Sequence, residues 1–168
     1  GCNVDGTTVG LTMLKSAVFP NPEADREIHQ FTYAIYPHKG EWKEASTVEY
    51  AYALNNETSA VVKTIVGGTL PKQYRMFSVS EKNIVAEVVK KAEKSGDTVI
   101  RLFESHNKRT KVRMTFAHPV DKILECNLLE EEICEIASFK DGYEIEFQPY
   151  EIKTLKIQWS KNSIEVSK

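Results

Sequence analysis

The 168-residue chain has few cysteines, no long apolar run and no surplus of either charge. Each shortage removes a class of function. The three cysteines, Cys2, Cys126 and Cys134, are odd in number and make no C-x-x-C pair. That argues against structural zinc or a disulfide framework, and for reduced thiols in a cytoplasmic protein. No apolar stretch approaches the roughly 20 residues that span a bilayer, and no signal-peptide pattern is present, so no membrane partner is expected. With 22 basic and 24 acidic side chains and a formal charge of −2, the chain lacks the basic excess of a nucleic-acid groove. P-loop, dinucleotide and G-x-S-x-G patterns are missing. The four histidines, His29, His38, His106 and His118, stand far apart without an H-E-x-x-H or Cys/His pairing, so no metal site is expected in this chain. Asn56-Glu57-Thr58 has the form of a glycosylation acceptor, a pattern frequent by chance.

What the chain does contain is strand alternation. Leu11 and Met13, then Phe31, Tyr33 and Ile35, alternate with Thr12 and Thr32 at the period of half-buried strands, on either side of a polar connection marked by Pro20 and Pro22. Over residues 41–54 the period changes. Trp42, Ala45, Val48 and Tyr52 recur at three- and four-residue steps, which predicts a short amphipathic helix stopped by Asn55 and Asn56. A strand is read over 61–66, and the breaker cluster GGTLP at 67–71 is taken as the domain boundary. Further strands are expected at 74–79, 84–90, 98–104, 110–116, 123–129 and 133–139, then along Tyr143/Ile145/Phe147 and Leu155/Ile157/Trp159. Strands 98–104 and 110–116 are expected to form a hairpin, and Lys140-Asp141-Gly142 to turn another. Val112, Met114 and Phe116 are assigned inward; Lys111, Arg113 and Thr115 are assigned outward. The expected fold is mainly all-β: an antiparallel β-sandwich with one short helix. A C-terminal Ig-like sandwich of seven or eight strands (73–160) follows a partial strand–loop–strand–helix segment of a larger β-sandwich (1–72), and 161–168 form a frayed tail.

The wording of the sequence adds to this. LTMLKSAVFPNPEAD (11–25) followed by HQFTYAIYPH (29–38) closely resembles the segment that opens the C-terminal β-region of family 38 glycoside hydrolases, the retaining α-mannosidases, in their bacterial and cytosolic branch. The resemblance continues in order through 83–105, 109–116, 123–132 and FQPYEIKTLKI (147–157). The last segment is the most specific, while 41–72 match loosely. The family layout implied is an N-terminal α/β barrel, a helical middle domain and a large C-terminal β-region ending in a small sandwich. The barrel carries the catalytic aspartates and most zinc ligands, and none of those motifs has a counterpart here. The resemblance therefore implies an accessory domain of an enzyme hydrolysing α-linked mannose from oligosaccharides, inactive by itself. Zinc or another divalent metal would belong to the absent catalytic domain. The implied partners are the enzyme's own barrel and helical domains and a mannose-containing oligosaccharide; uncovered apolar faces also point to a homo-oligomer. A start in mid-pattern without methionine reads as a piece of a longer protein. A stand-alone carbohydrate-binding or interaction module is the alternative.

Hydrolysis of a glycosidic bond needs two carboxyl groups facing each other across the sugar. Glu144 and Glu146 occupy outward strand positions, where acids serve as solubilising charge. Glu130-Glu131-Glu132 reads as a solvated loop. Trp42, Tyr50, Tyr52, Tyr74, Tyr143, Tyr150 and Trp159 are assigned mostly to packing, with a sugar-stacking platform as the other reading. The region singled out for contact is the loop spanning 15–29. There Lys15, Ser16, Asp25, Arg26 and His29 can bond sugar hydroxyls or the wall of a neighbouring domain.

Overall fold

The computed structural model describes residues 1–62, 67 and 71–160. The chain divides into two compact units, Gly1–Thr47 and Val48–Lys168. In the first, β1 (Cys2–Asp5) and β2 (Thr8–Leu11) pair antiparallel, with Cys2 opposite Leu11 and Val4 opposite Val9. Gly6 supplies the positive φ of the turn, and Thr12 N–H continues the ladder by donating to Gly1 O at 2.8 Å. The strand expected around Phe31, Tyr33 and Ile35 has no ladder partner among the described residues, and none of the three is buried. Alternation marks two faces of a segment, but a strand exists only when another strand fills its backbone bonds.

The helix α1 (Thr47–Asn55) starts six residues later than the period change suggests. Residues 41–46 form turns instead, and Ser46 at φ +54° interrupts helical geometry ahead of Thr47. The stop falls where expected. Asn55 Nδ2 donates to Ala51 O, and Asn56 donates twice to Tyr52 O, satisfying last-turn carbonyls. Residues 61 and 62 have no regular structure; the rest of that expected strand, most of 67–71 and the 161–168 tail lie outside the described residues.

Among the described residues nine strands then make two antiparallel sheets. They are β3 (Phe77–Val79), β4 (Ile84–Lys91), β5 (Thr98–Glu104), β6 (Thr110–Phe116), β7 (Val120–Cys126), β8 (Glu132–Ile136), β9 (Ser138–Phe139), β10 (Gly142–Phe147) and β11 (Ile152–Trp159). One sheet runs β3-β6-β10-β9, the other β4-β5-β11-β7-β8. Two expectations need correcting. β5 and β6 have the expected bounds but form no hairpin: β5 pairs with β4 and β11, and β6 with β3 and β10, so the 105–109 loop carries the chain from one sheet to the other. The single strand read over 133–139 is two strands in different sheets, separated at Ala137, which brings the sandwich to nine.

The core lies between the sheets. Val112, Met114, Ile145 and Phe147 from one meet Ile100, Leu102, Ile123, Leu155 and Ile157 from the other. Lys111 and Arg113 are exposed on the opposite face, as their register requires. At one end of the core the Phe116 ring meets Tyr143 and Trp159 edge-on, at 5.9 and 5.6 Å between centroids. The polar atoms of both partners are satisfied: Trp159 Nε1 donates to Thr98 Oγ1 at 2.8 Å, and Tyr143 OH to Val120 O. These two aromatics pack, as read from the sequence.

The β9–β10 turn consists of Lys140, at φ +51°, and Asp141, so Gly142 opens β10 rather than sitting in the turn. Its value is closeness. A Cβ there would meet Met114 O at 2.7 Å, with Thr115 and Arg113 beside it. Gly142→Ala is expected to push β10 off β6 and destabilise by about 1–3 kcal/mol, the range for overpacking. Urea denaturation checks this, and an unchanged midpoint would mean that the two strands can separate freely there.

Candidate functional site

The loop over 15–29 closes on itself. Ser16 Oγ donates to Ala24 O at 3.2 Å, and Asn21 Oδ1 accepts from Glu23 N–H at 3.0 Å. Arg26 pairs with Glu23 at 2.8 Å, both side chains being mostly exposed. Asp25 takes φ +58°, and its carbonyl accepts from His29 Nε2 at 3.0 Å. The His29 ring stacks against Phe31, with centroids 6.0 Å apart. The five residues singled out in sequence are therefore partly brought together. Ser16, Arg26 and His29 hold the loop's shape, whereas the Asp25 carboxylate and Lys15 are exposed. An exposed carboxylate in water has no low-dielectric wall to tune it for acid–base work. Among the described residues no group of three or more His, Cys, Asp or Glu stands close enough to hold a metal ion. The donor set thus does not fit the zinc implied for an α-mannosidase, and no chemical step is assigned to a metal here.

On the sandwich, Glu144 and Glu146 pair with Lys111 and Arg109 at 3.1 and 2.7 Å. They act as the solubilising, cross-strand charges expected of outward positions. In the acidic run Glu131 and Glu132 are exposed, as read, and Glu130 departs from that reading. The Glu130 side chain is only 7% exposed, bonded to Lys90 at 2.8 Å, while its Oε2 accepts from Glu93 N–H at 2.8 Å. Lys156 bonds Glu130 O and Glu132. The Lys90 ammonium and then the Glu93 N–H hold the Glu130 carboxyl below its ordinary value. This ion network ties the β7–β8 loop to the β4–β5 turn, beside an open cleft of about 380 Å³.

The most strongly organised charge was missed in the sequence. Glu104, fully buried, accepts four bonds. Asn83 Nδ2 and His106 N–H reach Oε1, both at 2.7 Å, and Lys108 N–H and Tyr150 N–H reach Oε2 at 3.1 and 3.0 Å. Burial alone raises a carboxyl's pKa, but these donors outweigh it and hold Glu104 at about 2. The signal was available: Glu104 continues the inward series Ile100, Leu102 along β5. An acid held at about 2 and locked by four donors organises three loops and has no proton to transfer at neutral pH.

A second cleft, of about 390 Å³, lies between the β6–β7 and β9–β10 connections, with His118, Lys140, Asp141 and Tyr143 in its walls. No helix of the described residues is long and apolar enough to cross a membrane.

A two-sheet antiparallel sandwich, closed around an apolar core and held by a structural carboxylate, defines a β-sandwich domain. Residues 83–155 match the family described as the glycosyl hydrolases family 38 C-terminal beta sandwich domain, and the chain resembles the C-terminal β-region of family 38 glycoside hydrolases. It is 32% identical over 160 residues to alpha-mannosidase G of Dictyostelium discoideum, covering 93% of this chain and 15% of that protein. It is 31% and 30% identical over 160 residues to alpha-mannosidase 2C1 of Mus musculus and of Homo sapiens, covering 92% of this chain in each. The chain spans about 15% of the length of each of these relatives.

Proposed function

We propose that this chain is the C-terminal accessory β-region of an α-mannosidase, an enzyme removing α-linked mannose from oligosaccharides, and that it has no catalytic centre of its own. The observation that carries this reading is the match of residues 83–155 to the family 38 sandwich, set within similarity to three alpha-mannosidases over more than nine-tenths of the chain. The catalytic carboxylates and the zinc belong to the barrel, and the helical domain and barrel are the partners of this region. Exposed free thiols at Cys2 and Cys134 suit a reducing compartment, which supports a cytoplasmic enzyme. The 15–29 loop serves as a domain contact, since Ser16, Arg26 and His29 already spend their bonds on its shape.

Two assays test this. The purified chain, given zinc and an aryl α-mannoside, is expected to show no turnover, and the polypeptide encoded by its complete reading frame is expected to show it. Turnover by the chain alone that survives repurification and is lost in Asp25→Ala would overturn the reading. In the longer enzyme Arg26→Ala is expected to lower Tm and leave kcat/KM of the folded enzyme unchanged. A fall in kcat/KM at constant Tm would instead assign the loop to substrate.

A further inference from the structure

We propose that the cleft of about 390 Å³ between the β6–β7 and β9–β10 connections binds a neutral saccharide through His118, Ser138, Lys140 and Asp141. Its volume lies within the range of small-molecule sites, about 300–1,000 Å³. What sets it apart is open bonding capacity. Among the described residues none of these four side chains makes a hydrogen bond or an ion pair within the protein, and all four are exposed. Comparable groups elsewhere are committed: Ser16 and His29 to the shape of their loop, Glu104 to four donors, Glu130 to Lys90 and Glu93. The set is also mixed. A hydroxyl donates and accepts, an ammonium donates, a carboxylate accepts, and a neutral imidazole does one of each. Sugar hydroxyls, which donate and accept together, need that mixture.

The walls are fixed without a ligand. Ala117 N–H donates to Met76 O and Ser160 N–H to Pro119 O, both at 3.0 Å, which pins the β6–β7 connection. Tyr143 OH donates to Val120 O at 3.3 Å and ties β10 across to β7. The Tyr74 ring braces His118 at 5.8 Å between centroids, and the Lys140 ammonium lies 5.4 Å over the Phe139 ring. Half-buried Phe116 and Tyr143 also line the cleft and offer aromatic area to the C–H face of a sugar ring. Charge disfavours other ligand classes. A cation meets Lys140. An anion meets Asp141, and also the field of Asp121 and Glu135, which add to burial in pushing the Tyr143 phenol up. A neutral, hydroxyl-rich molecule meets neither conflict. The site goes beyond the proposed function, and only the choice of a mannose probe rests on that reading.

Titration of α-linked mannobiose into the isotope-labelled chain, followed by amide NMR shifts, tests this. Saturable shifts confined to 116–120 and 138–143 are expected, with a Kd of about 1 mM for so open a site. His118→Ala and Asp141→Ala should each weaken binding more than about tenfold, the loss of one good polar contact. Both residues are exposed, so Tm should hold in both variants. Lys111→Ala, on the outer face of β6, should leave binding unchanged. Four results overturn the inference: no saturation by about 20 mM, equal shifts from glycerol, saturation by inorganic phosphate that mannobiose does not displace, or binding that both cleft variants leave intact. Mannobiose bound here, with no α-mannosidase activity in the polypeptide of the complete reading frame, defeats the proposed function and leaves this site standing. An active enzyme whose cleft binds no sugar does the reverse.

Discussion

Glu104→Gln is expected to remove about 3 kcal/mol of stability at neutral pH, the worth of holding a carboxyl at about 2 against an unfolded value of 4.5. Glutamine keeps the shape but brings an NH2 group to a site whose four neighbours all donate: Asn83 Nδ2 and the N–H groups of His106, Lys108 and Tyr150. At least one buried donor then faces another donor. The pH dependence separates charge from shape. Because the folded value lies below the unfolded one, the carboxylate's contribution is fully present above pH 4.5. It is lost as pH falls through about 2. Guanidinium denaturation of both forms at pH 7, 4.5 and 3 should therefore show a gap that narrows with acidity. A gap that stays constant from pH 7 to 3 would attribute the loss to packing and remove the charge from the account.

Phe147→Ala is expected to cost about 3–5 kcal/mol, the range for emptying a buried aromatic site, and to lower Tm by more than about 10 °C in a domain of this size. The ring is fully buried among Val112, Ile145, Leu155 and their neighbours, in a strand paired to β6 with Phe147 opposite Thr110. Both sheets lose contacts at once, so the cavity has little freedom to collapse. Phe147→Leu, which keeps most of the volume, should lose far less. A Tm unmoved by the alanine change would mean that Phe147 does not face the core.

Much of the sandwich was legible in the sequence, because strand alternation is a local signal. The bounds of β5 and β6, the inward set Val112, Met114 and Phe116 and the asparagine stop of α1 all follow from neighbouring residues. Partner choice does not. β5 and β6 are adjacent in sequence and each has the right period, yet the loop between them is fastened around Glu104 and turns the chain into the other sheet. Nothing in the period of either strand records that crossing. The helix start was misjudged for a similar reason: Trp42 and Ala45 have helical spacing, but the backbone at Ser46 does not. The loop residues Ser16, Arg26 and His29 could be named from their chemistry. Their bonding to Ala24, Glu23 and Asp25 depends on a fold of the loop that their identities do not specify.

The order in which the strands leave the ribosome differs from the order in which they stand. β11, the last of the nine to be synthesised, occupies the middle of the five-stranded sheet, between β5 and β7. Until Ile152–Trp159 emerges, β4 and β5 can form one ribbon and β7 and β8 another, with no strand ladder joining them. Closure then spans a long stretch of chain, from Thr98 to Trp159, and such non-local pairing is slow. Nascent chains of this domain thus carry two open strand edges, on β5 and β7, from the completion of β7 until β11 pairs, and unpaired edges of this kind are where chaperone protection matters.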